Sequence, residues 1–159
     1  RVVAEDLGAV VMSLDLCPDG SVAALAIASG EVLLVSPVDG SVVRRLPGHP
    51  GGAFCARFSP DGKRLATGGV DRLARVWNVE TGAVELEFKD HKFPVTFVVW
   101  SADGSEVFSS AYFVDQATPI EGRVHRWSST TGEVRRTYRG GVKPLSSLAV
   151  SPEIGRAHV

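Results

Sequence analysis

Cysteine, methionine and asparagine are almost missing from this chain: it has two cysteines, Cys17 and Cys55, one methionine and a single asparagine, Asn78. Two thiols cannot build the disulfide framework of a small secreted domain. Neither lies in a Cys-x-x-Cys pair or beside histidines at metal-ligand spacing, so cysteine-based zinc or redox chemistry is excluded. Both are read as buried, apolar, free thiols, ahead of a disulfide or a nucleophile. A dominant charge is lacking too: 17 basic and 18 acidic side chains are scattered along the chain and leave a formal net charge of -1. No long-range field draws in DNA, RNA or anionic lipid, so neither nucleic acid nor a membrane is expected as a partner. The longest apolar run, Val22 to Ala28, falls far short of the roughly 20 residues of a membrane-crossing helix. Helical periodicity is absent as well, since apolar positions do not recur at three and four and Gly or Pro interrupts every window.

What remains, 44% hydrophobic and 22% charged residues, suffices for one ordinary core, a domain or part of one. Arginine outnumbers lysine 13 to 4, a skew that points to a GC-rich genome and hence a bacterial source. The most informative feature is a repeat. Cys17-Pro18-Asp19-Gly20 returns as Ser59-Pro60-Asp61-Gly62 and again as Ser101-Ala102-Asp103-Gly104, each 42 residues after the last, and Ser151-Pro152 starts a fourth unit after 50. A second marker, ending in Gly40, Gly82 and Gly132, keeps the same register with spacings of 42 and 50. The eight extra residues lie between Ser110 and Trp127.

Within the second unit, Phe54 to Ser59, Arg64 to Gly68, Leu73 to Val79 and Val84 to Phe88 are short runs rich in Val, Leu, Phe and Trp, separated by Asp-Gly, Gly-Val-Asp and Thr-Gly turns. Each unit therefore predicts four strands paired as antiparallel hairpins. A lone sheet of this kind exposes two apolar faces and needs a neighbour on each, which leads to radial stacking.

Gly48-His49, Leu65-Ala66-Thr67-Gly68-Gly69, Asp71 and Arg75-Val76-Trp77-Asn78, together with the period, resemble the WD-repeat family from Arg1 to Pro152. The likeness is strong in the second repeat, weaker in the third and degenerate in the first. The resemblance implies an all-β fold, here a partial β-propeller of four-stranded antiparallel blades. It implies a hydrogen-bonded chain through His49, Thr67, Asp71 and Trp77, with His91, Ser109 and Trp127 in the matching places of the third repeat. Glu121 is the better placed acid there, ahead of Asp115. In the first repeat Leu7, Leu25, Ser29 and Val35 occupy the four slots, so apolar packing must replace the network. A serine, histidine and aspartate set of this kind resembles a catalytic triad, but an indole N–H bonded to the hydroxyl holds that oxygen as an acceptor. A catalytic hydroxyl must also face a pocket.

The expected organisation is the end of a preceding blade at 1–4, blades at 8–47, 48–88 and 91–138, the third with an insertion at 112–122, and the start of another at 145–152. Both ends look cut. The tail at 153–159 fits neither strand nor turn pattern, and Ile154 to Val159 matches one reading frame of a common short-read sequencing adapter, so it is expected to be non-native. Three and a half repeats are fewer than the roughly four to eight blades that close a propeller. The remaining blades are expected to be missing from this chain, which alone would aggregate or form an open arc.

The resemblance also places the partner-binding rim at Leu46 to Gly52, Gly69 to Arg72, Asp90 to Pro94, Arg139 to Pro144 and the insertion. Tyr112, Phe113, Asp115 and Gln116, with Lys92, Phe93 and Arg72, are the candidate contacts. A loop that merely packs its own aromatics is the alternative for the insertion. The arginines at Arg44-Arg45 and Arg135-Arg136 to Arg139 read as a solvated outer edge. A metal on a propeller axis would need several acids on the first strands, and only Asp15 is offered. The expected function is thus a protein-interaction scaffold, with no cofactor and no catalysis, in the cytoplasm. The alternative is the accessory propeller of a larger bacterial enzyme such as a kinase or hydrolase.

Overall fold

A computed structural model of the chain describes residues 10–111, 122–139 and 149–150, with the backbone of 157–158. Strands β1 (Val11–Leu16), β2 (Ala23–Ile27), β3 (Val32–Val35) and β4 (Val42–Leu46) form one antiparallel sheet in chain order. Strands β5 (Ala53–Phe58), β6 (Arg64–Gly69), β7 (Ala74–Asn78) and β8 (Val84–Phe88) form a second. A third contains β9 (Val95–Trp100), β10 (Glu106–Ala111), β11 (Arg123–Ser128) and β12 (Val134–Arg139). The fold is all-β, and the three sheets are the blades of a partial propeller.

The turns explain why the strands reverse where they do. Gly20, Gly62 and Gly104 have φ of 73°, 70° and 70°, a region costly for any residue with a Cβ. One residue earlier in each turn, the aspartate folds back on the chain. Asp61 Oδ1 accepts the Lys63 N–H at 3.1 Å and the Ser59 hydroxyl at 2.6 Å, and Asp103 and Asp19 make the matching bonds to the serines two residues on.

The blades lie face against face. Ala24, Ala26, Val32 and Leu34 of the first blade share one buried cluster with Ala53, Phe58, Leu65 and Trp77 of the second. Ala66, Val76 and Phe88 on the other face of the second blade share another with Val95, Val98, Val107 and Trp127 of the third. First strands are also tied directly. Asp15 accepts the Phe58 N–H at 2.8 Å, Arg57 donates to Ser13 Oγ at 2.8 Å, and the Trp100 indole donates to Arg57 O at 2.9 Å. Since Ser13 and Asp15 face the second blade, alternation turns Met12, Leu14 and Leu16 the other way, where they are 46%, 62% and 50% exposed.

Two features carry no signal in the sequence. Ala157–His158, in the tail that carries no readable pattern, pairs antiparallel with Ala149–Val150. A two-residue strand is too short to leave a period in the sequence. Arg44, expected on a solvated edge, instead donates to the carbonyls of Glu80 and Thr81 at 2.8 and 3.2 Å, fastening the outer strand of the first blade to the second.

Candidate functional site

The second blade carries a closed polar chain. Asp71, in the turn between β6 and β7, accepts the His49 Nδ1–H at 2.8 Å, so His49 Nε2 is left as the acceptor of the Thr67 hydroxyl, also at 2.8 Å. Thr67 Oγ1 then accepts the Trp77 indole N–H at 2.8 Å. His49 and Thr67 are fully buried and Trp77 is nearly so. Gly69 makes the approach possible, because a Cβ there would run into the His49 side chain and Gly52 O. Burial pushes the His49 pKa down against the opposing pull of Asp71, and the ring is neutral. Burial alone would raise Asp71, but the hydrogen bonds from His49 and then Arg75 outweigh it and hold the carboxylate below its ordinary range.

Arg75, one of the residues that carry the family resemblance but absent from the hydrogen-bonded chain it implies, belongs to this chain as well. Its guanidinium donates to Asp71 Oδ2 at 2.6 Å, to Gly48 O at 3.0 Å and to Glu87 at 2.9 Å, flanking the imidazole. The only signal is a charged residue at an inward position of a strand. Such a residue is seldom buried without a partner.

In the third blade Ser109 Oγ accepts the Trp127 indole N–H at 2.9 Å and donates to His91 Nε2 at 2.7 Å. Glu121 and Asp115 lie outside the described residues, and His91 Nδ1 is buried with no partner among the described residues. Burial, with His125 adding to it, pushes the His91 pKa down to about 3. The His125 ring stands 4.8 Å from it, and Phe88 stacks on Trp127 at 4.8 Å. In the first blade Leu25 and Val35 join Ala23, Ile27 and Leu33 in an apolar cluster, and Leu7 is outside the described residues.

This arrangement offers no reacting hydroxyl. Thr67 and Ser109 each hold an indole N–H on their oxygen and lie where solvent does not reach. Asp15 is occupied by the Phe58 amide, and among the described residues no group of three or more His, Cys, Asp or Glu could hold a metal ion. Cys17 and Cys55 are free and buried, and burial drives the Cys55 thiol up to about 12, where it stays protonated.

The family model described as WD domain, G-beta repeat matches residues 40–78, which run from the last strand of the first blade to the third strand of the second. The chain belongs to the WD40 repeat family. Periodic tryptophan protein 2 homolog of Dictyostelium discoideum is 29% identical to this WD40 chain over 126 residues, 77% of the chain and 13% of that relative. Ribosome assembly protein 4 of Chaetomium thermophilum is 39% identical over 64 residues, 40% of the chain and 12% of the relative. A solved structure of U3-55K superposes with a TM-score of 0.75 at 21% identity, covering 88% of the chain and 42% of that structure. The WD40 chain thus spans about an eighth of the length of these two relatives. Both are eukaryotic, and the bacterial source expected from composition has no support among them.

Around the polar chains, the WD40 blades present one rim. The β4–β5, β6–β7 and β8–β9 connections share one end of the sheets, opposite the Asp-Gly turns. Arg72 and Lys92 are exposed there, and Phe93 is 38% exposed. Arg72 has a φ of 68°, the one non-glycine residue in the left-handed region among the described residues. Tyr112, Phe113, Asp115 and Gln116 lie outside them.

Proposed function

We propose that this WD40 chain is part of a protein-interaction scaffold, carries out no catalysis of its own, and binds protein partners through the rim that bears Arg72, Lys92 and Phe93. The observation that carries this reading is the indole N–H of Trp77 on Thr67 Oγ1 at 2.8 Å. It commits the one triad-like set of the second blade to holding the blade together, so function falls to exposed groups. Arg72 supports the rim, because a charged side chain kept in a strained backbone region at a surface turn is typical of a functional position. Phe93 and Lys92 add an aromatic ring and a cation beside it in sequence, a mixture suited to a binding hot spot. The insertion residues Tyr112, Phe113, Asp115 and Gln116 extend the same proposal, and a cytoplasmic setting goes with it. By its name one relative is a ribosome assembly protein, a role in keeping with binding rather than turnover.

The test is proximity cross-linking from a photoreactive group placed at residue 92 or 93 of the intact protein. Partners captured there, and not from a control position on the outer strand such as Arg135, support the rim. Equal capture from both positions counts against it.

A further inference from the structure

The two junctions between blades are built from equivalent positions, but at the end opposite the rim they are filled differently. Register sets Arg64, one residue before Leu65, against Val22, one residue before Ala23. Between the second and third blades the Arg64 guanidinium donates to Gly104 O at 2.8 Å and to Ser129 Oγ and O at 3.1 and 3.3 Å. It lies 4.8 Å over the Trp100 ring.

Between the first and second blades the same backbone is present: Val79 N–H bonds Lys63 O as Ser129 N–H bonds Ser105 O, and Gly62 occupies the place of Gly104. Val22 is too short to reach these carbonyls and packs with Val79 on the core below, while Gly62 O takes a long 3.9 Å contact from the thiol of Cys17, a weak donor. An open cleft of about 480 Å³ is left, with Asp19, Asp61 and Glu80 in its lining against the single cation Lys63. Hydrogen bonds, chiefly from Ser21 to Asp19 and from Ser59 to Asp61, keep both aspartates ionised. Arg44 takes the carbonyls of Glu80 and Thr81 on the outer flank, which leaves the inner position open.

We propose that this cleft receives an arginine side chain from a partner polypeptide, its guanidinium taking the place that Arg64 fills at the next junction. An arginine fits better than a lysine, because a planar fork can donate to two fixed carbonyls while meeting a carboxylate, and its stem can lie along Val22 and Val79. A metal ion fits poorly, since among the described residues no group of three or more acids, histidines or cysteines could hold one. The site is separate from the rim and does not depend on it.

The experiment titrates the intact, ¹⁵N-labelled protein with acetyl-Gly-Arg-Gly-amide and with its citrulline and lysine counterparts, following the backbone amides of Gly62, Lys63, Val79 and Glu80. Saturable shifts are expected with the arginine peptide, weaker ones with lysine and none with citrulline. Asp61→Asn keeps the turn acceptor but removes the charge, and it should weaken binding about tenfold. Val22→Arg, which supplies the guanidinium in cis, should abolish it. Equal response to citrulline, shifts confined to rim amides, or binding indifferent to both substitutions would overturn the site, with the scaffold reading left standing.

Discussion

Trp77 donates its indole N–H to Thr67 Oγ1 at 2.8 Å, across paired strands of one blade and against the face of the preceding one. Trp77→Ala removes a nearly fully buried ring and should cost about 3 to 5 kcal/mol. Thr67→Val keeps the shape but leaves two buried nitrogens without a partner, and should cost about 1 to 3 kcal/mol. Denaturant unfolding of the intact protein measures both, and a loss within error of zero for Thr67→Val would remove the polar chain from the stability of the blade.

Gly69→Ala should destabilise by about 1 to 3 kcal/mol, because the added methyl meets His49 and the fixed carbonyl of Gly52. Unchanged melting would show that the His49 loop yields at no cost.

Acid should act early. His49, His91 and His125 are all lowered, each chiefly by burial, so the folded blades favour neutral rings. Their unfolded value is about 6.5. Their contribution is therefore complete above that pH and is lost as pH falls through the folded values, at up to about 1.4 kcal/mol per pH unit for each ring. Asp71, also lowered, adds a loss only below about pH 4. His91→Phe should flatten the decline between pH 6.5 and about 3. Stability measured by denaturant unfolding that stays level down to pH 4.5 would contradict the burial of neutral histidines.

The blade pattern and the second polar chain were legible because they rest on local chemistry: a turn residue with positive φ at Gly62, an indole at Trp77 and a histidine eighteen residues before its threonine. Arg75, Arg44 and Arg64 were not, since each bonds backbone carbonyls, which carry no residue identity, in another loop or blade. The placement of Val22 opposite Arg64 was visible as a repeat offset, but its consequence, an unfilled junction, needed the neighbouring blade in view.

Arg72→Gly should stabilise by about 0.5 to 1 kcal/mol, as glycine adopts the φ of 68° without a Cβ clash. The same change should weaken partner capture if the arginine is kept for binding. A stabilised variant with unaltered capture would leave the strain at Arg72 without a functional reason.

The most direct test compares two variants of the intact protein, Arg72→Ala/Lys92→Ala and Thr67→Val, for melting temperature and for capture of the partners cross-linked at the rim. The rim variant should melt as the parent does and lose its partners, while Thr67→Val should melt lower yet keep them below its transition. A rim variant that retains every partner, or a Thr67→Val protein that loses them while still folded, would contradict the division between a structural interior and a binding rim.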